Sequence, residues 1–559
     1  MASMATQTEL RPGDGWRFMP CSLEEYDVNL YNGFLPREQP LLRLTNSYYS
    51  PWENMTDNFR KYMVAGIFRQ KIRELPVLST EHLQDMREYR RACVILSFLS
   101  HSYIWGHNEV PETTLPKQLS IPWCTISNKL GIVPILTNTT SVLWNWEFLN
   151  DGCSDFASSN LYTSVTFTGT TDESWFFTVS TMIEAKGGDI LHYGGIVLDA
   201  VHSDSIQQAI YGLDGMTDTI KQMITIIKRM PESNDPYLFY WKLRKYFAGW
   251  ENMEEAGIEH GVIYEDADAI DYNGNSYPKN SFIKFKGASA AQSSVIQVLD
   301  ILLGIKHFNT EENSASSEAN NQCNSVNKHL NKAPGSPYLL EMRKYMTRTH
   351  RQFLVDLEKI CGIRSYVIKK AAEIINSGDT FSELLEINDD YLSETDSQDG
   401  YSLEQRKSLL RSYNRCVSTL KAFRDAHIEV VKVYVVSQAR SSRPHNPKTA
   451  EAPSRQPRSA TAAINIPENR ASESDTLMNS PTLTDNERLG EKRSIGNANE
   501  LAKKLQSISV QETRGPSPAN KSGLAMERAE GQAILGTGGT DAISFLKNLR
   551  DETRSSRIV

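Results

Sequence analysis

Apolar residues recur at three- and four-residue spacing along four long stretches of the chain, which is the pattern of helices that bury one face. Alternation of apolar and polar residues, typical of a half-buried strand, is clearest in the short run SVTFTG at 164–169. The pattern therefore predicts a mostly helical protein with little sheet. The predicted helices span Asp85–Ser102, Ser205–Arg229, Pro337–Ile360 and Leu403–Ser437.

Two polar segments interrupt this pattern. The first, at 439–530, is rich in Ser, Pro, Asn, Arg and Glu, and no aromatic residue occurs between Tyr434 and Phe545. Such a segment cannot bury enough apolar surface to offset the entropy of ordering the chain, so we predict that it is disordered. The second segment, at 309–336, is predicted to be a long surface loop for the same reason.

The rest of the chain divides into folded regions at its prolines. Proline-rich stretches near 111–134 break the helical pattern between an N-terminal region and the longer helices that follow. We therefore predict an all-α protein with two helical domains, 15–165 and 166–438, after a flexible N-terminus at 1–14. The last segment, 531–559, combines the glycine-rich run Gly536–Thr540 with a final predicted helix, Asp541–Arg554.

Composition, charge and cysteine spacing limit the kinds of partner and cofactor site that we expect. Of the 559 residues, 39% are hydrophobic, which fits a partly unstructured chain, and the net charge of -8 gives no support to nucleic-acid binding. The seven cysteines lack the spacing of a zinc site or of a CxxCH haem attachment, so we expect reduced thiols in the cytoplasm. Neither a secretory signal nor a transmembrane stretch is evident, and we expect a soluble protein without a membrane partner.

One histidine stands on the apolar stripe of the predicted helix Leu403–Ser437. His427 lies one turn from Phe423 and Val431, and on this evidence alone a satisfied core histidine is the ordinary interpretation. Arg424 lies one turn earlier on nearly the same face, where a buried guanidinium needs an anionic partner. A haem would supply both an iron for the imidazole and a propionate for the arginine, so a ligand role stays open beside the core role.

Several other residues have both a structural and a functional interpretation. Asp300, within the apolar run VIQVLDILLGI, is costly to bury unless an arginine pairs with it, but it also fits a helix-face charge near a turn. Phe176 and Ser180 share a helical face, which is common in core packing with a serine that bonds back to its own backbone.

The aromatic segment 236–250 contains a candidate carboxylate-binding arginine. Arg244 fits recognition of a carboxylate beside an aromatic pocket, although the segment also fits an ordinary buried helix. Phe239 and Arg244 are five residues apart, about 140° on an ideal helix. They can therefore face one pocket only where the helix is distorted or the pocket wraps around its end. Phosphate-loop, dinucleotide-binding, serine-hydrolase and zinc-protease motifs are all absent from the sequence.

Eight stretches, taken together and in order, resemble the indoleamine 2,3-dioxygenase family, and they cover most of the chain outside the two polar segments. The long segment before GTGGT resembles that of fungal members. The stretches are VILSFLSHSYIWG (94–106), LPKQLSIPWCTISNKLGIVPIL (115–136), FFTVSTMIEA (176–185), LFYWKLRKYFAGW (238–250), GASAAQSSVIQVLDILLGI (287–305), EMRKYMTRTHRQFL (341–354), FRDAHIEVVKVYVV (423–436) and GTGGTDAISFLKNLR (536–550).

The resemblance implies an all-α, two-domain fold with one haem b, and so an iron, in the larger domain. It implies insertion of both atoms of O2 across the indole C2–C3 bond of L-tryptophan to give N-formyl-kynurenine. That reaction is the first step of the kynurenine pathway of tryptophan catabolism, which can also lead to NAD biosynthesis. We expect a cytoplasmic monomer.

The resemblance also implies residue roles around the haem. His427 would be the proximal iron ligand, Arg424 would contact a propionate, and Asp300 would orient that arginine. Ser180 would lie beside the haem on its distal side as the catalytic-site hydroxyl. The residues implied in substrate binding are Phe176 and Phe239 around the indole, Arg244 at the carboxylate, Ser289 and Ala290 along the wall, and Thr537 in the closing loop.

The sequence departs from mammalian members at Asn138, where they carry a tyrosine; we include Asn138 among the substrate-binding residues and expect a looser pocket there. Ala291, where they carry glycine, adds a methyl group near the same wall. Two other functions remain open at this point. One is a haem protein that senses or stores oxygen, and the other is a haem-free helical scaffold whose polar segment recruits partners.

Overall fold

The computed structural model describes residues 14–150, 153, 155–307, 337–375, 400–441, 537 and 542–558. These residues belong to one of the two units into which the chain divides, Met1–Pro444 with Ala519–Val559. The predicted disordered segment 439–530, apart from its first three residues, and the predicted loop 309–336 lie outside the described residues, as does most of the predicted flexible N-terminus. The predicted boundary between domains 15–165 and 166–438 stays a prediction.

The prediction of a helical fold is confirmed, because helices account for most of the described residues. Within the described residues, none of the helices is long and apolar enough to cross a membrane. The helices are α1 Ser50–Val64, α2 Phe68–Arg73, α3 Met86–Trp105, α4 Lys117–Leu130, α5 Thr171–Ala185, α6 Gly187–His202, α7 Ile206–Ile227, α8 Pro236–Leu238, α9 Ser294–Leu302, α10 Pro337–Arg343, α11 Arg348–Ile360, α12 Ile363–Ile375, α13 Leu403–Val431, α14 Ser437–Arg440 and α15 Ala542–Ser555.

Short strands are confined to two small sheets in the part of the chain that the structure describes. One sheet has the order β1-β4-β5, with β1 parallel to β4 and β4 antiparallel to β5, and the other is the antiparallel pair β2-β3. In register, Thr114 faces Ile263 and Trp146 faces Thr163. The strands are β1 Thr114–Leu115, β2 Trp146–Phe148, β3 Leu161–Thr163, β4 Val262–Tyr264 and β5 Phe282–Ile283.

The predicted strand at 164–169 is wrong, because the strand ends at Thr163. The backbone N–H groups that would continue the ladder donate instead to side chains. That of Val165 donates to Asn145 Oδ1 at 2.8 Å, and those of Phe167 and Thr168 donate to the buried carboxylate of Glu173 at 2.6 Å. Pairing with polar side chains takes these groups away from a neighbouring strand.

Side-chain caps explain where several helices begin. Asp85, Thr170 and Ser205 each precede a helix and accept a hydrogen bond from the backbone N–H three residues later. Ser402 forms a reciprocal capping box with Gln405 at the start of α13. Thr347 caps α11 in the same way, and it therefore divides the single helix predicted at 337–360 into α10 and α11.

The longest helix, α13, carries the stripe that contains His427. It packs against α7, α12 and α15, and α7 packs in turn against α6. Large aromatic side chains fill the core beside this layer, with Trp52, Trp123, Trp146 and Trp250 almost fully buried. The packing leaves a cavity between α5, α13, α15 and the segment before α9.

Candidate functional site

A cavity of about 320 Å³ lies beside α13, within the size range of small-molecule sites. Its walls are mainly apolar, with a small number of polar and charged side chains among them. All eleven residues that the sequence singles out line this cavity, although they are spread over 400 positions of the chain. They are Asn138, Phe176, Ser180, Phe239, Arg244, Ser289, Ala290, Asp300, Arg424, His427 and Thr537.

The imidazole of His427 lines the cavity and is half-buried. Among the described residues, neither of its ring nitrogens has a hydrogen-bond partner. Burial and the positive charge of Arg424 lower the pKa of His427 to about 4, so the ring is neutral at physiological pH. A neutral imidazole with an available nitrogen is the form that binds a metal.

The buried His101 shows what a satisfied core histidine looks like in this protein. Its Nδ1 lies 2.8 Å from the carbonyl of Tyr246, and its Nε2 accepts from the backbone N–H of Leu136 at 2.9 Å. Both ring nitrogens are therefore occupied by backbone groups. His427 differs from it, because neither of its ring nitrogens has a hydrogen-bond partner among the described residues.

Arg424 and Asp300 form the buried pair that the sequence anticipates. The Nη2 of Arg424 donates to Asp300 Oδ1 at 2.5 Å, and both side chains are less than a tenth exposed. The Nη1 of Arg424 also donates to the hydroxyl of Thr553 and to the carbonyl of Leu549 on α15. Contacts from α9 and α15 together therefore hold the guanidinium of Arg424 at the cavity. Arg424 lies one turn before His427 in α13.

The pair continues into two residues that the sequence reasoning missed. Asp300 Oδ2 lies 2.9 Å from His307 Nε2, and His307 Nδ1 lies 2.7 Å from Glu552 Oε2. Burial would raise the pKa of Asp300, but the positive Arg424 and His307 outweigh it and hold that pKa below its usual value. Burial would lower the pKa of His307, but the carboxylate of Asp300 and the hydrogen bonds to Asp300 and Glu552 raise it to about 9.

Aromatic side chains form another part of the cavity wall. The ring of Phe176 lies 5.0 Å from that of Phe239 and stacks on Phe247 at 5.5 Å, and Phe239 meets Tyr434 edge-on at 5.7 Å. These contacts fix the ring planes at separations typical of aromatic pairs. The resulting surface is suited to a flat, apolar ring such as an indole.

Phe239 and Arg244 face the same cavity because the helix between them is widened. The segment Phe239–Leu243 is a π-helical turn, in which the backbone N–H of Arg244 bonds to the carbonyl of Phe239, five residues earlier. This turn brings positions i and i+5 onto one face, which an ideal helix would not do. Arg244 is 3% exposed, and its guanidinium lies over the ring of Tyr240 at 5.3 Å.

Two further π-helical turns line the cavity. Thr139–Leu143 follows Asn138 and contributes Ser141 and Val142, whereas Lys432–Val436 continues α13 and contributes Tyr434 and Val435. Such turns are rare and occur mostly at functional sites. Each one widens the backbone turn at the point where the chain reaches the cavity.

A segment of small residues, 287–291, forms the remaining wall. The backbone N–H of Ala288 donates to the carbonyl of Phe247 at 3.0 Å, and Gly287 allows this close approach because a Cβ there would lie 2.1 Å from that same oxygen. Ser289 and Ala290 follow, with Ser289 capping the next turn by accepting from Ala291 N.

Thr537 contacts the same wall from the opposite end of the chain. Its hydroxyl donates to the carbonyl of Ala288 at 2.5 Å, and its own carbonyl accepts from Gly287 N. The rest of the predicted closing loop, Gly536 and residues 538–540, lies outside the described residues. The described part therefore places Thr537 at the cavity without describing the loop around it.

Ser180 and Asn138 are both engaged by the protein. The Ser180 hydroxyl donates to the carbonyl of Phe176 at 2.9 Å, one turn earlier in α5. The Asn138 amide donates to Glu184 Oε1 at 3.2 Å, and its backbone N–H donates to Gln292 at 3.0 Å. Asn138 is therefore held in place by polar contacts, which the expectation of a looser pocket did not include.

Glu184 is a cavity residue that the sequence reasoning missed. It follows Ser180 by four residues on the same face of α5, so helical spacing alone could have indicated it. The side chain is 3% exposed, and its Oε2 has no hydrogen-bond partner in the described structure. Burial raises the pKa of Glu184 to about 7, although the hydroxyl of Ser293 and the amide of Asn138 act in the opposite direction.

These residues fit a haem in three respects. A neutral imidazole with an available nitrogen can ligate iron, a buried arginine at the cavity can pair with a propionate, and apolar walls can enclose the porphyrin plane. His427 and Arg424 supply the first two, and Phe423, Val430 and Val431 contribute to the third. Buried Arg244 adds a second cation at the cavity, over the ring of Tyr240.

Comparisons with known proteins identify the family of the chain. The family model described as indoleamine 2,3-dioxygenase matches residues 22–556. An indoleamine 2,3-dioxygenase of Saccharomyces cerevisiae is 34% identical over 430 residues, which cover 75% of this chain and 81% of the relative. One of Aspergillus nanangensis is 31% identical over 423 residues, covering 74% and 87%, respectively. Indoleamine 2,3-dioxygenase 1 of Rattus norvegicus is 29% identical over 465 residues, covering 82% and 95%. This chain belongs to the indoleamine 2,3-dioxygenase family.

Proposed function

We propose that this protein binds one haem b through His427 and opens the indole ring of L-tryptophan to give N-formyl-kynurenine. The observation that carries the proposal is the half-buried His427 imidazole, which lines the cavity without a hydrogen-bond partner among the described residues. Family membership supplies the reaction class. When bound, the haem supplies the redox chemistry through which dioxygen reacts with the indole ring.

The chain's own residues position the substrate in this proposal. Arg244 pairs with the tryptophan carboxylate in a site where little water competes, so the ion pair is stronger than on the surface. Phe176 and Phe239 hold the indole plane, and Ser289, Ala290 and Thr537 enclose it from the opposite wall. Holding the ring in one orientation lowers the entropic part of the reaction barrier.

Ser180 and Asn138 have supporting roles in the proposal. Because the hydroxyl proton of Ser180 is engaged by the Phe176 carbonyl, Ser180 offers the cavity only its lone pairs. It can therefore accept a hydrogen bond from the substrate but does not serve as a ready proton donor. Asn138, fixed by Glu184 and Gln292, sets the shape of the cavity end.

Replacement of the proposed iron ligand tests the haem site. His427→Gly should purify without haem after expression in haem-replete cells, and imidazole added to the buffer should restore the haem absorption band by occupying the vacated space. His202→Gly is the matched control, because His202 lies outside the cavity and its Nδ1 is bonded to its own helix at Leu198. Normal haem content in His427→Gly would contradict the assignment.

We further propose that the protein acts as a monomer in the cytoplasm. The side chains that we propose to hold the haem and the substrate all belong to the same chain, so the proposed site needs no residue from a second subunit. The six cysteines in the described residues are all free, which fits a reducing compartment. Sedimentation of the purified protein tests the first point, and imaging of a tagged full-length chain tests the second.

A further inference from the structure

Four charged side chains form a continuous buried chain from the cavity to α15. Arg424 is paired with Asp300, Asp300 with His307, and His307 with Glu552, at separations of 2.5, 2.9 and 2.7 Å. Three of the four side chains are less than a tenth exposed, and that of Glu552 is 17% exposed. Arg424 and Asp300 line the cavity and already have roles in the proposed haem site, whereas His307 and Glu552 do not line it and have no role there.

The position of His307 between two carboxylates fixes its hydrogen-bonding state. An ionised carboxylate only accepts hydrogen bonds, so a ring that faces one carboxylate from each nitrogen must donate from both. The ring then carries both protons, and the chain holds two positive and two negative charges. This balance offsets the desolvation cost that any one of these groups would incur alone.

The row of paired charges joins two elements that both contribute to the cavity wall. Asp300 belongs to α9, and His307 follows that helix, whereas Glu552 belongs to α15. The same α15 presents Phe545, Leu546 and Leu549 to the cavity and receives the second Arg424 contact through Thr553. Helix α15 is therefore attached to the cavity wall at two neighbouring points, one through Arg424 and one through His307.

We propose that His307 is a positioning residue that fastens α15 over the cavity and so keeps Arg424 turned toward the anionic group bound there. His307 itself touches neither substrate nor iron, and it acts through Asp300 and Glu552. The identity of that anionic group as a haem propionate rests on the proposed function. The attachment of α15 does not, because every contact in it lies within the protein.

Hydrogen exchange on the full-length protein tests the attachment. We compare wild type with His307→Gln, Glu552→Gln and the double variant, and follow the amides of residues 546–553. Each single variant should exchange at least about tenfold faster there. The double variant should be no faster than either single one, because both changes break the same contact between His307 and Glu552. Arg415→Gln, which breaks an exposed pair between α13 and α7, should leave these amides unchanged.

Two further measurements separate a local effect from general damage and from the proposed haem site. The amides of α7 should keep their wild-type rates in every variant, and His307→Lys, which keeps the positive charge, should recover part of the protection. Haem transfer from the variants to apomyoglobin should be about tenfold faster than from wild type, because Arg424 loses its fixed orientation.

The outcomes distinguish this inference from the proposed function. Wild-type exchange at 546–553 in His307→Gln, or additive effects in the double variant, would overturn the positioning role even if haem is bound normally. Faster exchange confined to α15 would support it even if the wild-type protein binds no haem, in which case the proposed function alone would fail.

Discussion

At the scale of single residues, Arg244 is the buried cation that we propose as the partner of the substrate carboxylate. Arg244→Ala should raise the tryptophan concentration for half-maximal rate sharply, since a carboxylate left unpaired in an apolar site costs on the order of 2–5 kcal/mol. Arg244→Lys should recover only part of the affinity, because an ammonium cannot donate two parallel hydrogen bonds. Steady-state kinetics checks both, with Arg415→Ala as a surface control; unchanged saturation would show that the carboxylate binds elsewhere.

Glu184 makes the stability of the protein depend on pH. Its pKa rises from 4.5 in the unfolded chain to about 7 in the folded protein, so the folded state holds an extra proton between these values. The contribution of Glu184 to stability therefore falls as pH rises through this window and is constant above it. Glu184→Gln removes the titration, and relative to it the wild type should lose about 2–3 kcal/mol of unfolding free energy between pH 4.5 and 8.

Denaturant unfolding of both proteins across this pH range measures the effect. The variant amide can still accept from Asn138, so the comparison isolates the charge. Glu404→Gln, at an exposed carboxylate, should follow the wild-type curve. Parallel curves for wild type and Glu184→Gln would mean that Glu184 does not change protonation on folding.

Sequence reasoning at this scale succeeded where polar residues stood out against apolar neighbours. His427 and Arg424 lie on one helical face with apolar neighbours, and Asp300 lies in an apolar run, so the need of each for a buried partner was predictable. The pairing of Arg424 with Asp300 was implied only by the family resemblance. His307 was not predictable, because its partner Glu552 is 245 positions away and neither stands in an apolar run. Pairing between distant polar residues leaves no periodic trace in a sequence.

At the scale of elements, the three π-helical turns decide which side chains reach the cavity. The sequence pattern assumes ideal helices, and on an ideal helix Phe239 and Arg244 point apart. The widened turn at Phe239–Leu243 brings both side chains to the same cavity. The spacing in the sequence indicates that a distortion is needed, but it does not indicate where the distortion lies. Extra residues in a helix depend on tertiary packing, which local propensity does not encode.

A substitution in the cavity wall at 287–291 tests a close backbone contact. Gly287→Ala would place a Cβ 2.1 Å from the Phe247 carbonyl and 2.5 Å from Gly249 N, and both are backbone atoms that cannot rotate away. The segment must shift, so both thermal stability and tryptophan affinity should fall, with a stability loss of about 1–3 kcal/mol. Gly274→Ala in an open turn is the control for stability alone.

The two losses in Gly287→Ala are measured separately, by thermal unfolding and by tryptophan titration. Gly274 has a positive φ of 87° but no neighbour within 4 Å of an added Cβ, so its change strains the backbone without moving the cavity wall. It should lower stability and leave tryptophan affinity as in wild type. Wild-type affinity in Gly287→Ala would mean that the wall does not contact the substrate.

At the scale of the whole molecule, the hydrophobic pattern predicted the helical fold, because periodic burial is a property that each helix carries in its own sequence. The cavity, in contrast, is not encoded in the pattern of any single helix. Its residues come from positions 138 to 549, and folding brings them together through packing of α5, α9, α13 and α15. Only the ordered resemblance to a family connected them in advance, and the described structure now places them around one space.

The most direct test of the central claim follows the oxygen atoms. The purified, haem-loaded protein is reduced without air and then given L-tryptophan with isotopically heavy dioxygen, and the product is analysed by mass spectrometry. We expect N-formyl-kynurenine that carries two heavy oxygen atoms, and no such product from His427→Gly without imidazole. A haem spectrum with no product, or a product with one heavy atom, would contradict it, and the former would favour an oxygen-binding protein instead.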